Sequence, residues 1–124
     1  MMADTLEIRD GDFHLTIYLD KLPEFPTANY HRLLRLLRRY PDAMARLGEF
    51  LREQIPLSKA EWEARSQEFV RGWRSVDARS RTPESKAKLS ENKRLKRNLL
   101  AAKRLYEAYS RLLQIYEKQG GTHK

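Results

Sequence analysis

Leu95, Leu99, Ala102, Tyr106, Tyr109, Leu113 and Tyr116 follow one another at alternating spacings of four and three. That is a heptad seam held over about three heptads, and only an α-helix brings such positions to one side. Thr82-Pro83 gives this helix an N-cap followed by a proline at its first position. The helical pattern then runs over 83–118, until Gly120-Gly121 stops it. A continuous helix of this length measures about 54 Å at ~1.5 Å per residue. A compact chain of this size has a radius of gyration of only about 14 Å. The helix therefore projects beyond its domain or breaks, the candidate break being Ser90-Glu91-Asn92.

The two halves of this segment differ. After residue 100, Ala101, Leu105, Ala108, Leu112 and Ile115 widen the apolar arc, as a helix docked in a core requires. Before it, lysine and arginine dominate. On a helical projection Lys86, Lys93, Arg97, Arg104, Arg111 and Lys118 gather opposite the seam. The expectation is a docked C-terminal half that presents a basic N-terminal half. The seam serves either an intramolecular core or a homodimer through Leu95, Leu99, Tyr106, Tyr109, Leu113 and Tyr116.

Charge sharpens the contrast. The chain has 124 residues and a formal net charge of +8. Residues 1–78 carry 12 basic and 13 acidic side chains, whereas residues 79–104 carry 10 basic and 2 acidic. The excess thus belongs to one segment, and solvated helix faces ordinarily mix both signs.

The N-terminus reads as a β-hairpin. Leu6 and Ile8 alternate with polar residues, and Phe13, Leu15, Ile17 and Leu19 do so after Asp10-Gly11. A type I′ turn at Asp10-Gly11 would pair Ile8 with Phe13 and Leu6 with Leu15. Pro23 and Pro26 end the strand, and Thr27 is placed to cap a helix over 28–40. Tyr30, Leu33, Leu34, Leu36, Leu37 and Tyr40 form its apolar arc, with Arg32, Arg35, Arg38 and Arg39 on the other side. Pro41 opens a second helix over 42–55, with Met44, Leu47, Phe50, Leu51 and Ile55 inward. Pro56 separates it from a third, which Ser58 and Glu61 open with capping-box spacing. Trp62, Phe69, Val70 and Trp73 continue the apolar side of that helix.

The expected fold is α+β and mostly α: a two-stranded hairpin on a small helical bundle with a long basic C-terminal helix. One domain is expected from the length, with residues 1–74 as hairpin and three helices and 75–82 as a basic linker. Residues 83–118 would dock on the same domain, leaving 119–124 as a flexible tail.

Several function classes find no support in the residues. There is no cysteine, so disulfides, thiolate metal sites and thiol nucleophiles are excluded, and a reducing cytoplasm is the expected location. His14, His31 and His123 show no metal-ligand spacing, and no cofactor or metal is expected. No nucleophile-elbow or phosphate-loop motif occurs, and no enzyme is expected. Met1-Met2-Ala3-Asp4 does not begin a signal peptide, and no apolar run suits a membrane span. A helix-turn-helix over 42–73 would meet nucleic acid with Glu61 and Glu63, the wrong charge.

What remains is polyanion binding. Arg79, Arg81, Lys86, Lys88, Lys93, Arg94, Lys96, Arg97, Lys103 and Arg104 are the candidate nucleic-acid contacts, with Arg32, Arg35, Arg38 and Arg39 as a secondary basic face. The expected function is a non-enzymatic accessory or regulatory protein that holds DNA or RNA through phosphates, with little base discrimination. The alternative is a protein-binding regulator or inhibitor of a larger nucleoprotein machine, anti-CRISPR-like in size and chemistry, using the basic helix on an acidic surface.

Overall fold

The computed structural model describes residues 5–76, 79 and 81–119. The architecture is α+β and mostly α. Strands β1 (Thr5–Asp10) and β2 (Phe13–Tyr18) form an antiparallel pair, and a 3-10 turn over Leu19–Glu24 follows. Three helices complete it: α1 (Thr27–Leu37), α2 (Pro41–Gly72) and α3 (Pro83–Lys118). The proposed tail beyond Gln119, with its Gly120-Gly121 stop, lies outside the described residues. The chain groups into two compact units. Unit 1 comprises residues 1–56 and 107–124, and unit 2 comprises residues 57–106.

In unit 1 the hairpin differs from expectation by two residues of register. Asp10 pairs with Phe13, Ile8 with Leu15 and Leu6 with Ile17, so the loop is Gly11-Asp12. Gly11 has φ of 63°, and no other described residue has a positive φ. Positive φ at the first loop position alone is the type II′ pattern, which calls for glycine there. Because side chains alternate with period two, the slip leaves every residue on its expected face. It also brings the buried Leu6 and Ile17 together and leaves Phe13 exposed at the hairpin end.

Leu19 and Leu22, in the unexpected 3-10 turn, extend the buried apolar set. Helix α1 begins at Thr27 rather than being capped by it: Pro26 is the N-cap and makes no side-chain cap bond. Tyr30, Leu34 and Leu37 are buried, whereas Leu33, Leu36 and Tyr40 are half-buried. The Tyr30 hydroxyl donates to the Leu22 carbonyl at 2.8 Å, tying α1 to the 3-10 turn. Helix α1 ends at Leu37, so Arg38 and Arg39 occupy the turn that follows. Pro41 opens α2 as expected, and Met44, Leu47, Phe50 and Leu51 are buried from its first turns. The last turns of α3 complete the interior with Ala108, Tyr109, Leu112, Ile115 and Tyr116. Phe50 and Tyr109 meet edge to face, ring centroids 5.6 Å apart.

Helix α2 is continuous where two helices were expected. Pro56 lies inside it, and Ser58 is buried in its interior rather than capping a new helix. A mid-helix proline costs roughly 3 kcal/mol because it removes a donor and crowds the carbonyl four residues back. Propensity of this size is overridden where tertiary packing holds the segment helical. With no turn at Pro56, a helix-turn-helix over 42–73 is excluded. Helix α3 is likewise unbroken through Ser90-Glu91-Asn92. Among the described residues no helix is long and apolar enough to cross a membrane.

Candidate nucleic-acid interface

The basic segment lies within unit 2, between the end of α2 and the first two-thirds of α3. Its start is locally determined. The Thr82 hydroxyl accepts the Ser85 N–H at 3.1 Å, and Pro83 occupies the first helical position, where it has no amide hydrogen to leave unpaired. Helices α2 and α3 run antiparallel here. Trp62 meets Tyr106 with ring centroids 5.4 Å apart. Ten residues further along α2, a Cβ added to Gly72 would lie 2.7 Å from Leu95 Cδ1. A side chain at residue 72 would require the end of the Leu95 side chain to shift. Beyond it, buried Asn92 accepts the Arg74 N–H at 3.1 Å and donates to the Arg74 carbonyl at 2.7 Å.

These contacts fix which side of α3 faces inward. Asn92, Leu95 and Ala102 are buried, and Leu99 and Tyr106 are half-buried. At about 100° per residue, Lys86, Lys93, Arg97 and Arg104 fall directly opposite Leu95. All four are exposed, and none has an ion-pair partner among the described residues. No acidic residue interrupts the row. Lys96 is exposed on the flank beside it, whereas Lys88, seven residues before Leu95, is exposed on the Leu95 side of the helix.

The other candidates are placed differently. Arg94 is engaged by Glu91 in a two-pronged pair at 2.6 and 3.0 Å. Hydrogen bonding to that guanidinium holds the Glu91 carboxyl below its ordinary range and raises Arg94. Its charge is therefore partly answered within the helix. Lys103 is half-buried, its ammonium 6.0 Å from the centroid of the Trp62 ring. Arg79 and Arg81 are exposed on the segment before α3. The secondary face belongs to unit 1: Arg32 and Arg35 are exposed on α1, and Arg38 and Arg39 in the turn after it. Among the described residues of unit 1, none of these four forms an ion pair with Glu49 or Glu53. Within unit 2, Arg65 takes Glu61 and Glu68, at 2.7 and 3.0 Å.

The heptad seam is largely covered within the two units. Leu95 is buried within unit 2, and Tyr109 and Tyr116 are buried within unit 1. Leu99, Tyr106 and Leu113 are half-buried. The apolar side expected from Trp62, Phe69, Val70 and Trp73 is only partly covered. Trp62 and Phe69 are half-buried, but Val70 is 75% and Trp73 46% exposed. The reason is numerical: the basic half of α3 supplies few apolar side chains beyond Leu89, Leu95 and Leu99, too few for four bulky partners. That mismatch was readable from the sequence, although its location was not. Among the described residues no cluster of acidic residues and histidines could hold a metal ion.

Comparison with protein-family models, curated proteins and solved structures finds no match.

Proposed function

We propose that this is a non-enzymatic, cytoplasmic accessory or regulatory protein that binds nucleic acid through its phosphates, with unit 2 as the binding element. The observation that carries the reading is the exposed row Lys86, Lys93, Arg97 and Arg104, set opposite Leu95 and free of acid. The row spans 18 residues of helix, about 27 Å at ~1.5 Å per residue. Lys96 beside it, and Lys88 and Arg81 elsewhere in the segment, add cations to the same unit. Lysines and arginines so spaced neutralise successive phosphates and read no base edges, so sequence preference is weak.

The test is a titration of DNA and RNA over a range of salt concentrations, with the protein and a Lys86→Gln, Lys93→Gln, Arg97→Gln, Arg104→Gln variant. Neutralising about four phosphates gives a slope of log K against log[salt] near −4 on duplex DNA. The variant loses most of that slope. A flat salt response, or no binding at low salt, sinks the reading. A stoichiometric protein partner that survives nuclease treatment would put the regulator of a nucleoprotein machine in its place.

A further inference from the structure

The Trp62–Lys103 contact defines one flank of the α2–α3 pair in unit 2. From Trp62, steps of four, seven, eight and eleven residues along α2 reach Ser66, Phe69, Val70 and Trp73 on the same side. From Lys103, steps of three, seven and ten back along α3 reach Leu100, Lys96 and Lys93. Because the helices run antiparallel, Trp73 lies toward the end of the flank that carries Lys93 and Lys96. Its ring is tilted against Phe69, centroids 5.0 Å apart. The Trp73 N–H donates to the Phe69 carbonyl at 2.9 Å, which fixes its backbone at the end of α2. The flank therefore combines a held but exposed indole, an exposed valine, an exposed leucine at position 100 and exposed lysines. Glu63 is an acidic neighbour, near the Trp62 end.

A duplex shows a protein its phosphates and keeps its base faces stacked away. Only an unpaired strand offers both phosphates and bare bases. We infer that this flank binds single-stranded nucleic acid, with Trp73 as a platform for a stacked base and Lys93 and Lys96 on the adjoining phosphates. The inference rests on the proposed function and sharpens it, since Lys93 belongs to both surfaces. Stacking on an indole tolerates every base, so it adds strand selectivity without sequence selectivity.

The experiment compares oligothymidylate with a duplex of equal length, using the full chain, Trp73→Ala and Trp73→Phe. Removing the platform should weaken single-strand binding roughly tenfold or more. Duplex binding should stay within about twofold, and Trp73→Phe should retain most of the single-strand affinity. A second reading is independent of that truncation. In a Trp62→Phe background Trp73 is the sole indole, and oligothymidylate should quench its emission as anisotropy rises. Unchanged emission during binding, or undiminished single-strand affinity in a folded Trp73→Ala, overturns the inference and leaves phosphate binding standing. Absence of binding to either nucleic acid overturns both.

Discussion

Asn92 holds Arg74 by both backbone groups, its Oδ1 accepting the N–H and its Nδ2 donating to the carbonyl. At 3% exposure the amide is removed from water. It substitutes for the chain partner that the end of α2 lacks, where terminal carbonyls have no intrahelical donor. Replacement by alanine leaves two Arg74 groups without partners, and the expected loss is about 2–3 kcal/mol. Asn92→Asp keeps the acceptor but removes the donor, so its loss should shrink as acid protonates the carboxyl. Thermal melts of both variants at neutral and acidic pH measure this. A neutral Asn92→Ala would mean that the bridge contributes nothing.

Gly48 faces Tyr116. A Cβ there would lie 2.7 Å from Tyr116 Cζ and closer still to its hydroxyl, against a ring that is itself buried. Arg52 lies over the same ring, its guanidinium carbon 5.7 Å from the centroid. Gly48→Ala should therefore destabilise by about 1–3 kcal/mol, despite alanine's better helix propensity. Combining it with Tyr116→Leu should cost less than the sum of the two changes, and a double-mutant cycle measures that coupling. Strict additivity would contradict the close approach.

Tyr30 is expected to govern the alkaline limb of stability. Burial pushes its pKa above the ordinary value of 10, with Arg111 opposing weakly. The folded state then holds this proton more tightly than the unfolded chain does. Its contribution is complete below pH 10 and is lost as pH rises through the folded pKa. Stability should fall above about pH 10, and Tyr30→Phe should flatten that fall. The same change should lower neutral-pH stability by about 1 kcal/mol through the lost bond to Leu22. Ultraviolet titration should show Tyr30 resisting ionisation together with Tyr40, whose hydroxyl donates to Asp10 at 3.1 Å, and Tyr30→Phe should remove one of the two; ordinary titration of all six would refute this.

Pro56 interrupts the hydrogen-bond ladder of α2 from an exposed position. Pro56→Ala restores a donor toward the Arg52 carbonyl and should stabilise by about 1–3 kcal/mol, read as a rise in Tm. A fall would mean that the proline's geometry is itself required.

Local signals were the most legible. Thr82-Pro83 opens α3 as its chemistry dictates, because a cap and a first-turn proline need no distant partner. The seam and its opposed basic row followed from periodicity, which burial then reproduces. Legibility failed where distant residues decide. Pro56 and Ser58 look like a boundary, yet α2 continues through them, and the division between units 1 and 2 falls there instead. The hairpin slipped by two because Asp10-Gly11 and Gly11-Asp12 are both acceptable turns, and pairing Leu6 with Ile17 selects the second. Trp73 lies on the apolar side by periodicity yet stays exposed, because helical periodicity identifies an apolar side without knowing whether anything covers it.

Among the described apolar side chains of unit 2, only Leu95 and Ala102 are fully buried. So thin an interior places this unit at the low end of local opening free energies, well below the leucine-rich unit 1. A polyanion that recognises only the closed helix pair adds its binding free energy to that small reserve by mass action. If unit 2 binds a polyanion as proposed, order in residues 86–104 becomes a function of ligand concentration, and hydrogen exchange at their amides would report occupancy before any change in global melting is seen.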